Sequence, residues 1–479
     1  MRAITRLLVT ATVLLVTALA PGATTAQEAD PELREARRAV MEGSADEALT
    51  LLDALALARP ESSEVALWHG HALRRAGDPG AAAQQYLGAL RLDPASAGAL
   101  IALGDLQAKT GDLRRSHAYY QRAIDAAPDF PLGYRRAAGI EVQLVLHADA
   151  IGHLRQYLEL RPGDAVAMRV LGLEQYLDED VDSAVVTLEQ ALVLEPDNAQ
   201  AQFGLGMALA DRPDDYARAI ENLEAAVAGE PDNAMALYLI GKIQASQGNL
   251  RAARRALEAS LALDPAQADA HYRIALVYAR LGERESAAAH QRTFQSLSQA
   301  RDDGEETGRR IELLVEAAGL AMTTSDFRSV RASADELSAL APDDLDVLMV
   351  QARMALAMGD SDDVLRIADR AMKLDPDDWE ALYLQGVVLQ SAQPQRAREL
   401  LQRAIAGNPL YAPAFAALGN ALIEVRDYAL ARRAYESAVM LAPGSAAHYL
   451  NLAVVYGVLG EADLEARAMA THRRLLGEQ

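Results

Sequence analysis

The chain has no cysteine among its 479 residues, which removes disulfides, thiolate metal sites and a cysteine nucleophile from consideration. Lysine is nearly absent as well. Lys109, Lys242 and Lys373 stand against 43 arginines, a bias we read as the codon usage of a GC-rich bacterial genome. Positive charge is short overall, with a formal net charge of −22 at pH 7, and that argues against nonspecific nucleic-acid binding. Long apolar runs are missing beyond the first twenty residues. The one near the start, Leu7 to Ala20, is too short for a comfortable membrane span.

That run has the marks of a targeting segment. Arg2 and Arg6 precede it, Pro21-Gly22 breaks it, and Thr24-Thr25-Ala26 offers small residues for cleavage. A secretory signal peptide over residues 1–26, cut after Ala26, is expected, with an uncleaved anchor as the alternative. Without a cysteine near the cut there is no lipoprotein anchor. A mature chain with no membrane span, in the periplasm or secreted, follows as the expectation.

What is present in abundance is a period. Prolines stand at Pro60, Pro94, Pro128, Pro162, Pro196, Pro231 and Pro265, then at Pro342, Pro376, Pro409 and Pro443. Apart from one gap of 77 residues, the steps are 33 to 35 residues, and a fixed step of that size means a repeat array. The stretch Ala165 to Pro196 serves as the reference unit, with Ala165 as its first place. Met168, Leu171, Gly172 and Gln175 fall at helical spacing, and after a break so do Ala184, Leu188 and Ala191. The unit is therefore two short antiparallel helices.

Small residues recur at fixed places. The eighth place holds Gly172 and its counterparts Gly70, Gly104, Gly206, Gly241, Gly386 and Gly419, where a missing side chain lets the facing helix come close. The fifteenth holds Gly77, Gly111, Gly248, Gly282, Gly359 and Gly460, a left-handed residue that ends the first helix. Asp78, Asp112, Asn249 and Asp360 come next and can cap the second helix. Alanine dominates the twentieth and twenty-seventh places, and the closing proline stops the second helix.

Place by place, the glycine, the alanines, a bulky residue between them (Tyr86, Tyr120, Tyr435) and the proline resemble the tetratricopeptide repeat (TPR) family, over essentially the whole mature chain. The aromatic that the family shows early in the first helix is mostly replaced by Leu100, Tyr134, Leu237 and Phe415. The resemblance implies an all-α, TPR-type right-handed superhelical solenoid of about 13 helix-turn-helix units. The eighth unit lacks its proline and ends in a polar run, as the last unit does, and terminal repeats must show water a face that internal ones bury. Two arrays are expected, 29–299 with about eight units and 311–479 with about five, joined by a charged linker at 300–310.

Chemistry-bearing motifs do not survive inspection. Asp178, Asp180, Asp182 and Glu189 have calcium-loop spacing, but Ser183 stands where glycine is needed and the second helix has already begun. His69 and His71 are two apart and point to different faces of a helix. Gly204-Leu205-Gly206 lacks the third glycine of a nucleotide loop, and no serine sits in a nucleophile elbow. No catalytic residue, cofactor or metal is assigned, and the chain is read as no enzyme.

A surface remains. In TPR arrays the second, fifth, ninth and twelfth places of the first helix line the concave groove. Together with their neighbours they give Arg37, His71, Arg74, Lys109, Arg135 and Arg169, a local basic excess suited to acidic segments or peptide carboxylates. Further on come Phe203, Met207, Tyr238, Tyr272 and Tyr383, which suit an extended or helical partner. The expected function is a noncatalytic extracytoplasmic scaffold that binds segments of partner proteins in the groove. The alternative is an accessory component of an envelope polysaccharide export or secretion machine, contacting polymer or pore. The lysines and asparagines of the family's two-carboxylate clamp are absent except for Asn420 and Asn451, so that partner is not carried over.

Overall fold

A computed structural model describes residues 30–324 and 326–477. The signal segment and its cleavage residue Ala26 lie outside the described residues. Those described form twenty-five α-helices and one short 3-10 turn, with no strand among them.

The helices come in pairs, each pair one repeat. They are α1 (Pro31–Glu42) with α2 (Ala45–Ala58), α3 (Ser63–Arg75) with α4 (Pro79–Leu92), and α5 (Ala97–Lys109) with α6 (Leu113–Ala126). Next are α7 (Pro131–Gln143) with α8 (His147–Leu160), α9 (Ala165–Leu177) with α10 (Val181–Leu194), α11 (Ala199–Leu209) with α12 (Tyr216–Gly229), and α13 (Ala234–Ser246) with α14 (Leu250–Leu263). Then α15 (Ala268–Leu281) is followed by the 40-residue α16 (Arg284–Thr323) and by α17 (Phe327–Leu340). The series closes with α18 (Leu345–Ala357) and α19 (Ser361–Leu374), α20 (Trp379–Leu389) and α21 (Pro394–Gly407), α22 (Ala412–Glu424) and α23 (Tyr428–Leu441), and α24 (Ala446–Leu459) and α25 (Ala462–Leu476).

The repeated residues do what their places require. A Cβ added to Gly70 would come within 2.4 Å of the Tyr86 ring, and one on Gly206 within 2.6 Å of Leu223 Cγ. Those distances are below any real contact, so only glycine admits the facing helix. The turn glycines Gly77, Gly111, Gly248, Gly282, Gly359 and Gly460 all have φ between 75° and 84°. In three repeats where the fifteenth place is not glycine the backbone keeps the same conformation: Val145, Glu179 and Arg426 have φ of 60°, 65° and 60°.

Capping follows suit, with one exception. Asp78 Oδ1 accepts the Ala81 N–H at 2.8 Å, Asp112 that of Arg115 at 3.0 Å and Asp360 that of Asp363 at 3.2 Å. Asn249 makes no cap hydrogen bond and instead donates to Gln244 Oε1 at 2.9 Å.

By contact the chain divides into two units, which are described separately. One is Ala127–Glu306. Its core runs through Leu188, Leu205, Leu223, Ile240 and Ile243, then through Leu257, Ile274 and Val277. The other joins 30–126 with 307–477. Residues 300–310, expected as a charged connection, are helical throughout, inside α16. This helix does two jobs: Ala287 packs against Ala270 and Ile274 as a second helix would, while Leu314, Ala318 and Ala321 pack on Val330 and Val347 as a first helix would. Counting it in both pairs gives thirteen repeats.

Within the second unit α4 lies against the far end of the chain. Leu410, 8% exposed, shares a core with Ala82, Ala83, Tyr86, Leu103 and Leu106, and Leu441 packs on the same cluster. Gln84 Nε2 donates to Ser437 Oγ at 2.6 Å. The sequence of α4, PGAAAQQYLGALRL, carries no charge before Arg91. Small uncharged residues let a second layer of helices approach without desolvating a charge.

Candidate binding groove

Repeat register puts Arg135, Arg169, Phe203, Tyr238 and Tyr272 at the fifth place of five consecutive first helices, all within Ala127–Glu306. The same place on successive stacked helices lies side by side, so these side chains form a row. Tyr272 is 41% exposed, with its ring centroid 5.2 Å from that of Phe294. Phe203 and Tyr238 are half-buried on one shared core cluster.

Met207, at the ninth place, does not face the groove. It is 2% exposed and belongs to the core with Leu223 and Leu239, so its expected groove position is corrected. The reason lies opposite it. In three other repeats the ninth place is polar and meets a tyrosine of the second helix: Tyr86 with His71 at 3.0 Å, Tyr120 with Asp105 at 2.8 Å, Tyr435 with Asn420 at 2.5 Å. Here the facing residue is Leu223, which has no polar group to offer.

The basic candidates of the second unit are mostly engaged. Arg37 pairs with Glu64 and lies 5.1 Å over the Trp68 ring. Arg74 is 3.7 Å from Asp105. His71 is no cation: burial, and secondarily Arg74, push its pKa down to about 3, and its Nδ1 meets the Tyr86 hydroxyl. Its expected role in binding acidic groups is thereby corrected. Arg75, beside Arg74, donates to the carbonyls of Met41 and Gly43 at 3.0 and 2.8 Å and so closes the end of α1. Lys109 is exposed at the end of α5 and has no ion pair among the described residues. Tyr383 is half-buried and packs perpendicular to Tyr411 at 5.0 Å; burial and that neighbour push its hydroxyl pKa up.

In the other unit the arginines stand differently. Arg135 has no ion pair among the described residues, and its Nε is buried without a hydrogen-bond partner. Arg169 is 7% exposed and has no ion pair among the described residues; the carboxylates that act on it from farther off are Glu230 and Glu195. Burial pulls its pKa down, the direction expected when a charge loses water. A cleft of about 770 Å³ opens beside Arg135, walled by Phe130, Leu160 and Val166, with Arg161 on its rim and Tyr157 below. The Tyr157 hydroxyl donates to Asp164 Oδ2 at 2.7 Å, and Asp164 Oδ1 accepts the Ala167 N–H at 3.0 Å. That aspartate is thus turned inward. Arg161 has no signal in the repeat register, because it stands in the turn after α8 and the groove places lie on first helices.

A second surface was also missed. Leu450, Val454 and Val458 are 37%, 55% and 54% exposed on α24, an apolar stripe at four-residue spacing. The calcium-like cluster resolves into caps and pairs, with Asp180 accepting from Ser183 N at 3.2 Å, and Asp182 and Glu189 pairing with Arg212 and Arg218. No group of metal-ligating side chains occurs among the described residues, and none of their helices is long and apolar enough to cross a membrane.

A family model described as tetratricopeptide repeat matches residues 33–97, 101–165, 170–215, 212–253, 349–412 and 416–474, and one described as TPR repeat matches 241–282. The matches leave out 283–348, where α16 lies. No curated protein matches the chain. Among solved structures, MamA (41-end) from Desulfovibrio magneticus RS-1 is 24% identical, over 35% of this chain and 95% of that one, with a TM-score of 0.33. YrrB, described as a TPR protein with an unusual peptide-binding site, is 22% identical over 39% of this chain and 96% of that one, with a TM-score of 0.35.

Proposed function

Since the chain belongs to the tetratricopeptide repeat family, whose model matches more than half of it, we propose that it is a noncatalytic scaffold that holds segments of partner proteins along the row Arg135, Arg169, Phe203, Tyr238 and Tyr272. The observation that carries this reading is the row itself. Two cations without ion pairs are followed by three aromatics, at one place of five successive helices. Helices fixed by the packing of their own pairs lose little freedom when a partner arrives, so the ordering cost falls on the partner. Aromatic side chains at an interface supply large contact area at low entropic cost. Work outside the cytoplasm is part of the proposal, on the strength of the charged, apolar and small-residue pattern of residues 1–26.

The test compares the chain with a variant carrying Phe203→Ala, Tyr238→Ala and Tyr272→Ala, each immobilised and challenged with envelope extract. A partner retained by the first and lost by the second, with both equally helical by circular dichroism, is the expected result. Equal retention by both would remove the row from the interface.

A further inference from the structure

The cleft between α7, α8 and the start of α9 is an odd place for arginine. Several arginines sit beside a carboxylate, as Arg218 does with Glu189 and Asp215, or Arg403 with Asp377. Arg135 and Arg161 share one cleft and have no such partner among the described residues. The buried Nε–H of Arg135 receives no acceptor. That nitrogen is closed off, so an incoming acceptor meets the terminal nitrogens of the guanidinium, which are not among the buried atoms.

The two carboxylates of the cleft do not fill that role. Asp164 spends its oxygens on Tyr157 and the Ala167 N–H, and Glu195 accepts from the Asn198 amide at 2.8 Å. The remaining wall is apolar, with Phe130, Leu160 and Val166.

We propose that this cleft is the anchor point for an acidic peptide segment, one carboxylate lying between the guanidinium groups of Arg135 and Arg161 and an adjoining aliphatic side chain resting on Phe130, Leu160 and Val166, a reading that rests on the scaffold function above. The guanidinium fork suits a planar carboxylate with two parallel hydrogen bonds. A peptide fits better than an acidic polysaccharide. Sugar hydroxyls need several side-chain partners, and apart from the two arginines the polar side chains of the cleft, Tyr157, Asp164 and Glu195, are already hydrogen-bonded. The cleft also sits at the cationic end of the row, so the bound segment has a direction: acidic residues at α7 and α9, apolar ones toward α11 and α13.

Calorimetry with the purified chain tests this, using acetyl-Glu-Glu-Leu-Glu-Glu-Leu-amide and the same peptide with glutamine for each glutamate. The acidic peptide should bind, and the glutamine peptide should bind at least tenfold more weakly. Arg135→Ala and Arg161→Ala should each weaken the acidic peptide at least fivefold, while Arg251→Ala, an exposed arginine of α14, should not. Arg161 is exposed, so its substitution leaves the core alone, and this variant keeps the test valid should Arg135→Ala fold poorly. Equal binding of the two peptides, indifference to both cleft substitutions, or no binding of the acidic peptide at all would overturn the proposal. Arg135-dependent binding of an oligouronate in place of the peptide would overturn it as well. If the acidic peptide is lost on Tyr238→Ala but not on Arg161→Ala, the cleft assignment falls and the scaffold reading stands; loss of neither the peptide nor the extract partner on row substitution sinks that reading itself.

Discussion

Gln84 and Ser437 are 353 positions apart in sequence, yet the Gln84 amide donates to the Ser437 hydroxyl at 2.6 Å, and that hydroxyl in turn donates to the Arg433 carbonyl at 2.8 Å. Ser437 is 3% exposed, so the bond is sheltered from water and closes the N-terminal repeats onto the C-terminal ones. A chain without cysteine makes the contact simple to trap. Gln84→Cys with Ser437→Cys, treated with a short bismaleimide, should give a cross-linked monomer of altered mobility in denaturing gels. A cross-linked dimer would mean that the two surfaces meet between copies, and no product would mean that they do not meet.

Two glycine substitutions should act in opposite directions. Gly206→Leu drives a side chain into Leu223, 2.6 Å from the first added carbon, with the Ala219 carbonyl 3.2 Å away and unable to yield. A loss of about 2–3 kcal/mol is expected from overpacking. Gly152 lies in α8 with nothing within 4 Å of an added Cβ, so Gly152→Ala should gain about 0.5–1 kcal/mol from helix propensity. Urea midpoints of the two variants check both signs.

At Val145 a β-branched residue holds φ of 60° in the turn between α7 and α8, the place where six other repeats have glycine. Left-handed backbone costs such a residue about 1–2 kcal/mol, while glycine adds freedom to the unfolded chain. Val145→Gly should therefore raise stability by about 1 kcal/mol, seen as a higher melting temperature; an unchanged or lower value would contradict the strain.

His71 supplies a pH dependence of definite sign. Its ordinary pKa of 6.5 is pushed down to about 3 by burial, so below pH 6.5 the unfolded chain takes up a proton that the folded one refuses. The stability due to neutral His71 is complete above pH 6.5 and declines as pH falls toward 3. Between pH 7.5 and 5.5 the loss should be about 1.4 kcal/mol. Trp68, whose ring is 5.3 Å from that of His71, reports the transition by fluorescence, and His71→Gln should lack this part of the loss. Identical pH profiles for the two proteins would count against it.

Much of this was readable from spacing alone. The glycines facing Tyr86, Tyr120 and Leu223, and the turn glycines, recur at fixed steps because each repeat solves the same packing problem against its own neighbour. What a 34-residue period does not carry is anything that differs between repeats. Met207 occupies a groove place by count and turns inward because Leu223 replaces a tyrosine. His71 looks like a surface cation, yet its ring is half-buried and hydrogen-bonded to the Tyr86 hydroxyl. The meeting of Gln84 with Ser437 has no periodic signal; the only local trace is the uncharged face of α4. Arg161 was passed over because it stands in a turn.

The contact of α4 with α21 to α23 also bears on synthesis. Gln84 leaves the ribosome 353 residues before Ser437, which at typical elongation rates is roughly 20–70 s. Neighbouring repeats can fold on one another, but the Ala83 and Gln84 side of α4 must wait until the last repeats are present. A message cut short before codon 400 would release chains with that side bare, a defect that quality-control proteases and chaperones can recognise although every repeat already made has folded.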